Sequence, residues 1–162
     1  MAFGGYKLKW EKGRFNPSSK EPYTISRSKI DRFLECPRCF WLEARYGIGR
    51  PDTPPFTLNN AVDELFKREF DVRRAAGEAH PLMQKYGIDA IPYAHEKVEE
   101  WRDAFKRGIK YHDTENNLIV RGGIDDVWVG PAGELYIVDY KATAGKKEIT
   151  LEDEWKIQYK RQ

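Results

Sequence analysis

The chain has 162 residues, of which 33% are charged and 14% aromatic, and its formal net charge is +2. That length supports one domain with a sizeable core. The aromatic content excludes wholesale disorder, and the small net charge excludes a protein that holds nucleic acid through bulk charge, so any basic surface must be local.

Residues 1–23 are basic and turn-rich, with Gly4-Gly5 and Asn16-Pro17-Ser18-Ser19, and read as an irregular basic arm. Ser26 is placed to cap a helix over Arg27 to Glu35, with Ile30, Phe33 and Leu34 as its apolar stripe. Pro37 suits the first turn of a second short helix that ends near Gly47. Gly49, Pro51, Pro54 and Pro55 then mark a loop. Val62, Leu65, Phe66 and Phe70 repeat at helical spacing and predict a long helix from about Asn60 to Ala76.

After a mixed connection from Gly77 to Pro92, a further amphipathic helix is predicted from His95 to Arg107, with Val98, Trp101 and Phe105 facing the core and Gly108 as its stop. A β region begins near Ile109, with a turn at Asp113 to Asn117, a strand over Leu118 to Val129, a turn at Gly130 to Gly133 and a strand over Leu135 to Ala142. Thr143 to Lys147 reads as a loop, and the chain from Leu151 onward as helix.

The turn fixes the hairpin's register. Pro131 suits the second position of a type I turn and Gly133 the left-handed position after it, giving a three-residue loop with a glycine bulge. Gly130 then pairs with Glu134, and continuing the register sets Asp125 opposite Asp139 and Gly123 opposite Lys141. One face carries Val127, Val129, Leu135 and Ile137 near the turn and Asp125, Asp139 and Lys141 at the far end. The other carries Ile124, Trp128, Tyr136, Val138 and Tyr140. Both are largely apolar, which predicts helices over both. Facing carboxylates repel, and a hard divalent cation between them removes the conflict. Such a cation activates water and polarises a phosphoryl oxygen, and Lys141 is placed to orient the water or to meet charge developing on phosphate.

At these residues the chain resembles the PD-(D/E)XK nuclease superfamily, and within it the RecB-like branch of helicase-associated and CRISPR-adaptation exonucleases. Gly122-Gly123-Ile124-Asp125 meets the pattern Gly-x-Ile-Asp, and Val138-Asp139-Tyr140-Lys141 meets hydrophobic-(Asp/Glu)-x-Lys. Ser26-Arg27-Ser28-Lys29-Ile30 with Cys36-Pro37-Arg38 meets the family's opening pattern, and Tyr159-Lys160-Arg161-Gln162 its Tyr-x-x-Gln helix. The four ordered blocks span residues 26 to 162.

The resemblance implies an α/β (α+β) fold with a restriction-endonuclease-like core, a mixed central sheet flanked by helices and an N-terminal helical segment, in one domain over residues 24–162. It implies Mg²⁺ or Mn²⁺ as cofactor, DNA as partner alongside a helicase or CRISPR-adaptation protein, and phosphodiester hydrolysis in repair, recombination or defence. Asp125 and Asp139 are the implied metal ligands and Lys141 the catalytic lysine. Gln162 and Tyr159 are implied to position DNA or that lysine. Where many relatives carry a metal-binding histidine on the long helix, this chain has Asp63, itself able to ligate Mg²⁺ or, on the plainer reading, simply an acid near the start of a helix. The chain ends at Gln162 within a predicted helix, without a capping signal, so a C-terminal truncation is expected.

Cys36-Pro37-Arg38-Cys39 has metal-ligand spacing, but tetrahedral sites take four ligands. With two cysteines in the chain, a packing role for Cys36 is expected and an iron–sulfur cluster is not. His80, His95 and His112 lack ligand spacing. Arg27, Lys29, Arg32 and Arg38 form a basic stretch that either contacts phosphate, with Arg27 and Lys29 the first candidates, or is a solvated face. No apolar run has the length of a membrane span, the N-terminus lacks a signal-peptide core, and the cysteine usage suits a reducing compartment, so a soluble cytoplasmic protein is expected. The principal expectation is a metal-dependent deoxyribonuclease. The alternatives are a catalytically inactive nucleic-acid-binding module of the same fold and a small zinc- or cluster-binding domain built on the two cysteines.

Overall fold

The computed structural model describes Lys7–Leu8, residues 13–51 and residues 57–141. The fold is α+β, with helices interleaved among short strands that form three small sheets among the described residues. The described chain falls into two compact units, one holding residues up to 51 together with 110–121, the other residues 57–109 together with 122–141.

In the first unit, β1 (Lys7–Leu8) pairs antiparallel with β3 (Ile48–Gly49). The segment read from sequence as irregular therefore contributes a strand, and Tyr23 opens another. β2 (Tyr23–Ser26) runs parallel to β6 (Leu118–Gly122), which lies between β2 and β5 (Ile109–Asp113). Asp113 tightens the β5–β6 turn by accepting from Asn116 N–H at 3.1 Å and from the Asn116 side-chain amide at 2.8 Å. α1 (Arg27–Glu35) begins as the sequence predicts, but the Ser26 side chain does not cap a backbone N–H; its hydroxyl is hydrogen-bonded to that of Ser28 at 3.0 Å instead.

α2 (Pro37–Tyr46) starts on Cys36, with Pro37 supplying the preset first-turn backbone. It ends at Gly47, whose φ of +73° is a left-handed conformation that glycine adopts without strain. α1 and α2 pack through an edge-to-face Phe33–Phe40 pair and an ion pair between Arg32 and buried Glu43.

The second unit is built on α3 (Thr57–Ala76), followed by α4 (Pro81–Lys85), β4 (Ile91–Pro92) and α5 (Val98–Arg102). β7 (Asp126–Val129) pairs antiparallel with β4 on one side and β8 (Leu135–Val138) on the other. Phe70 of α3 is the centre of the core, with its ring 4.3 Å from His80, 5.3 Å from Trp128 and 5.3 Å from Tyr140, centroid to centroid. Met83, Ala90, Val98 and Val127 are buried in the same unit.

Three expectations need correction here. The helix predicted over His95 to Arg107 is a short one, because Asp103 starts a new turn: its carboxylate accepts Lys106 N–H at 3.0 Å and its carbonyl accepts Arg107 N–H at 3.1 Å. That leaves Phe105 exposed rather than in the core. The single strand predicted over Leu118 to Val129 is two strands in different sheets. Between them Ile124 N–H donates to Trp101 O at 3.1 Å, and Arg102 Nε donates to Asp125 O at 2.8 Å, so this stretch bonds to α5 and not to a ladder. Finally, the hairpin face expected to be covered is buried at Val127 but exposed on β8, at Leu135 and at Ile137, which is 75% exposed.

Candidate metal centre

The hairpin register is the one the turn chemistry predicts: Val129 pairs with Leu135, Trp128 with Tyr136, Val127 with Ile137 and Asp126 with Val138. Gly130 N–H donates to Glu134 O at 2.9 Å, and Gly133 takes the left-handed position with φ +85°. The ladder stops one pair short of Asp125 and Asp139, so these two are not ladder partners. The Asp125 carbonyl is taken by Arg102, and its carboxylate Oδ2 accepts the Tyr140 backbone N–H at 2.9 Å. This side-chain bond replaces the backbone pairing that would have faced two like charges.

Asp125 Oδ1 lies 3.2 Å from the Lys67 ammonium, which also donates to Asp63 Oδ2 at 2.7 Å. Asp63 and Lys67 stand four residues apart on α3 and so share a helix face. One cation thus bridges two partly buried carboxylates. Burial pulls the Lys67 pKa down, but the hydrogen bond to Asp63 and the charges of Asp125 and Asp63 outweigh it, and the ammonium is held above its ordinary value. The second oxygen of Asp63, Oδ1, is buried without a hydrogen-bond partner.

Asp139 and Lys141 follow β8 directly and form an ion pair. Lys141 also donates to the Tyr140 carbonyl at 3.3 Å, and both side chains are more than a third exposed. A cleft of about 600 Å³ reaches Asp139 along β8, with Trp128, Tyr136 and Ile137 among its walls.

Beneath Asp125 lies a second acid, Asp126, with 0% exposure. It accepts its neighbour's Val127 N–H at 2.8 Å and the Tyr140 hydroxyl at 2.6 Å, and pairs with Arg74. Arg102 stands 3.6 Å away and grips Asp71 with two hydrogen bonds of 2.8 and 3.0 Å. Burial first, then the hydrogen bond and charge of Asp126, push the Tyr140 phenol far above its ordinary pKa. Tyr140 therefore fixes both acids, Asp126 through its hydroxyl and Asp125 through its backbone.

Of the residues singled out in the sequence, Asp63 and Asp125 are brought together through Lys67, while Asp139 is engaged with Lys141. Among the described residues no group of three or more His, Cys, Asp or Glu is gathered to hold a metal ion. Tyr159 and Gln162 lie outside the described residues. Arg27 and Lys29 belong to the first unit: Arg27 pairs with Asp31 at 3.3 Å, and Lys29 donates to Tyr23 Oη at 3.0 Å and Thr24 O at 3.1 Å. No described helix is long and apolar enough to cross a membrane.

Sequence reasoning missed Lys67, Arg74, Arg102 and Asp126. Lys67 was signalled by its place one turn after Asp63. Asp126 was signalled by strand alternation, which puts it on the apolar face of Trp128 and Tyr140, where an acid requires a cation.

Comparison of the chain with protein-family models, with curated proteins and with solved structures finds no match. The fit of a metal therefore rests on the donors themselves. Asp63 and Asp125 offer carboxylate oxygens, the ligands hard divalent cations prefer. One of those oxygens is a buried acceptor without a partner, and a positive charge already sits between the two side chains. Two such carboxylates are what these residues would offer a Mg²⁺- or Mn²⁺-type ion, and among the described residues no third ligand is gathered with them.

Proposed function

We propose that the protein is a metal-dependent deoxyribonuclease that hydrolyses phosphodiester bonds. The observation that carries this reading is the setting of Asp125, fixed by the Tyr140 N–H beside Asp63 and its unpartnered oxygen, with Asp139 and Lys141 on the residues flanking Tyr140. Asp63 and Asp125 would hold the cation, with Asp139, directly after β8 and paired with Lys141, as the further carboxylate. What the cation supplies when bound is Lewis acidity toward a phosphoryl oxygen and its attacking water. Lys141 offers a positive charge to the phosphate as negative charge develops there. Tyr140 orients Asp125 by donating from the backbone, and the Tyr140–Asp126 bond keeps that backbone in place.

A non-catalytic DNA-binding module is the second reading, and the Lys67 ammonium between Asp63 and Asp125 is the observation that favours it. One assay separates them. The purified chain is incubated with linear and circular, single- and double-stranded DNA in Mg²⁺ or Mn²⁺, alongside Asp139→Ala and Lys141→Ala. Metal-dependent cleavage that both substitutions remove is expected. Unchanged cleavage in both variants overturns the mechanism, and DNA binding without cleavage by any version selects the binding module.

A further inference from the structure

We propose that Lys67 is a built-in counter-cation for the Asp63–Asp125 pair, and that a divalent cation enters this site only by displacing it. The proposal rests on the metal-site reading above and adds a residue that competes with the metal.

The ammonium lies 2.7 Å from Asp63 Oδ2 and 3.2 Å from Asp125 Oδ1, within charge-assisted contact of both acids. All three side chains are largely shielded, with 18% exposure for Lys67, 28% for Asp63 and 22% for Asp125. At such positions two carboxylates without a cation repel each other and lose hydration, so the pair needs a positive charge in every state of the protein. Lysine suits a removable charge. Its head is a compact point charge on a flexible four-carbon stem, unlike the rigid fork of arginine. Withdrawal of the head frees Asp63 Oδ2 and Asp125 Oδ1 and adds them to Asp63 Oδ1, which is buried and already without a partner. The same oxygens cannot serve both cations at once, so lysine contact and metal binding exclude each other. Asp125 Oδ2 remains with the Tyr140 N–H throughout, which keeps the carboxylate aimed while its partner changes.

The test measures Mn²⁺ affinity of the full chain by loss of the free-ion electron paramagnetic resonance signal, with thermal melting followed in parallel. Lys67→Met keeps most of the stem and removes the charge. Lys67→Arg keeps the charge and fixes it more firmly. The expected result is Mn²⁺ binding tightened roughly ten-fold or more by Lys67→Met and left equal or weakened by Lys67→Arg, since removing a like charge from a shielded site shifts the balance by at least a unit in log affinity. The metal-free melting temperature of Lys67→Met should fall, and Mn²⁺ should raise it by more than it raises the wild type. Equal or weaker Mn²⁺ binding by Lys67→Met overturns the proposal and leaves the metal site standing. If Lys67→Met does not fold, tighter binding by Lys67→Arg overturns it just as directly. Failure of the wild type and both variants to bind Mn²⁺ overturns the metal-site reading itself, and the proposal with it.

Discussion

Tyr140 donates its hydroxyl to the fully buried carboxylate of Asp126 at 2.6 Å, from the β8 side of the hairpin to the first residue of β7. Tyr140→Phe keeps the ring against Phe66 and Phe70 and removes the hydroxyl. A hydrogen bond to a buried charge is worth about 1–3 kcal/mol, so urea denaturation should show a loss of that order. The phenol also gives the fold an alkaline limit. Its folded pKa is raised, by burial first and then by Asp126, so above about pH 10 the unfolded chain ionises this group while the folded chain does not. Its stabilisation is complete below the unfolded pKa and is lost as pH rises beyond it. Tyr140→Phe should flatten the fall in stability at high pH; an unchanged alkaline slope would show that Tyr140 ionises as freely folded as unfolded.

Asp125 and Asp126 are adjacent in the chain and should respond in opposite ways to substitution. Asp126→Ala leaves Arg74 and Arg102, both about a tenth exposed, facing an empty position in the core. Removing one member of a buried pair costs about 3–5 kcal/mol, enough to lower the melting temperature severely. Asp125→Ala leaves Lys67 its contact with Asp63 and removes one acceptor from the Tyr140 N–H, a cost of about 1 kcal/mol. Its expected signature is a near-normal melt with loss of Mn²⁺ binding and cleavage. A folded Asp126→Ala beside an unfolded Asp125→Ala would reverse the roles assigned to the two acids.

Local chemistry was legible in the sequence and competition between partners was not. Pro131 and Gly133 act within their own turn, so the β7–β8 register followed from them residue by residue. Gly47 ended α2 for the same local reason. The break after Gly122 was hidden because Ile124 and Asp125 bond to α5, which is some twenty residues earlier in the chain. Phe105 has the spacing of a core residue, but the Asp103 turn carries it outward. The motif singled out Asp125, Asp139 and Lys141; the spacing of Lys67 from Asp63 on α3 was legible too, but its contact with Asp125, like that of Arg74 with Asp126, depends on how α3 packs against the hairpin.

Gly133 tests how far the site depends on the turn. Its φ of +85° suits glycine, and an added Cβ meets no neighbour, so the cost of Gly133→Ala is conformational alone, about 1 kcal/mol. Chemical denaturation should register that loss. Amide exchange at Trp128 and Tyr136, the pair two residues in from the bonded Gly130 and Glu134, should show the ladder intact, because Val127 is buried and holds the register with Ile137. A shifted register would move Asp125 away from the Tyr140 N–H and abolish Mn²⁺ binding, an outcome that would place control of the register in the turn alone.

Cys36 should be the more reactive of the two thiols. It occupies the N-cap of α2, where its sulfur accepts the Cys39 N–H at 3.1 Å. Its pKa is lowered by the Cys39 side chain first, then by that backbone donor against opposition from burial, with further help from the charges of Arg50 and Arg38. A helix N-terminus and neighbouring guanidinium groups favour thiolate by the same electrostatics that favour any anion there. Iodoacetamide labelling followed by peptide mapping across a pH series should therefore give Cys36 a half-maximal rate below the pH of about 8.5 typical of a free thiol. Arg50→Ala should move that midpoint upward and Cys39→Ala should move it further, since Cys39 supplies the largest contribution and its backbone N–H alone would remain. A midpoint for Cys36 at or above that of a free thiol would mean that burial outweighs the donors at the helix start.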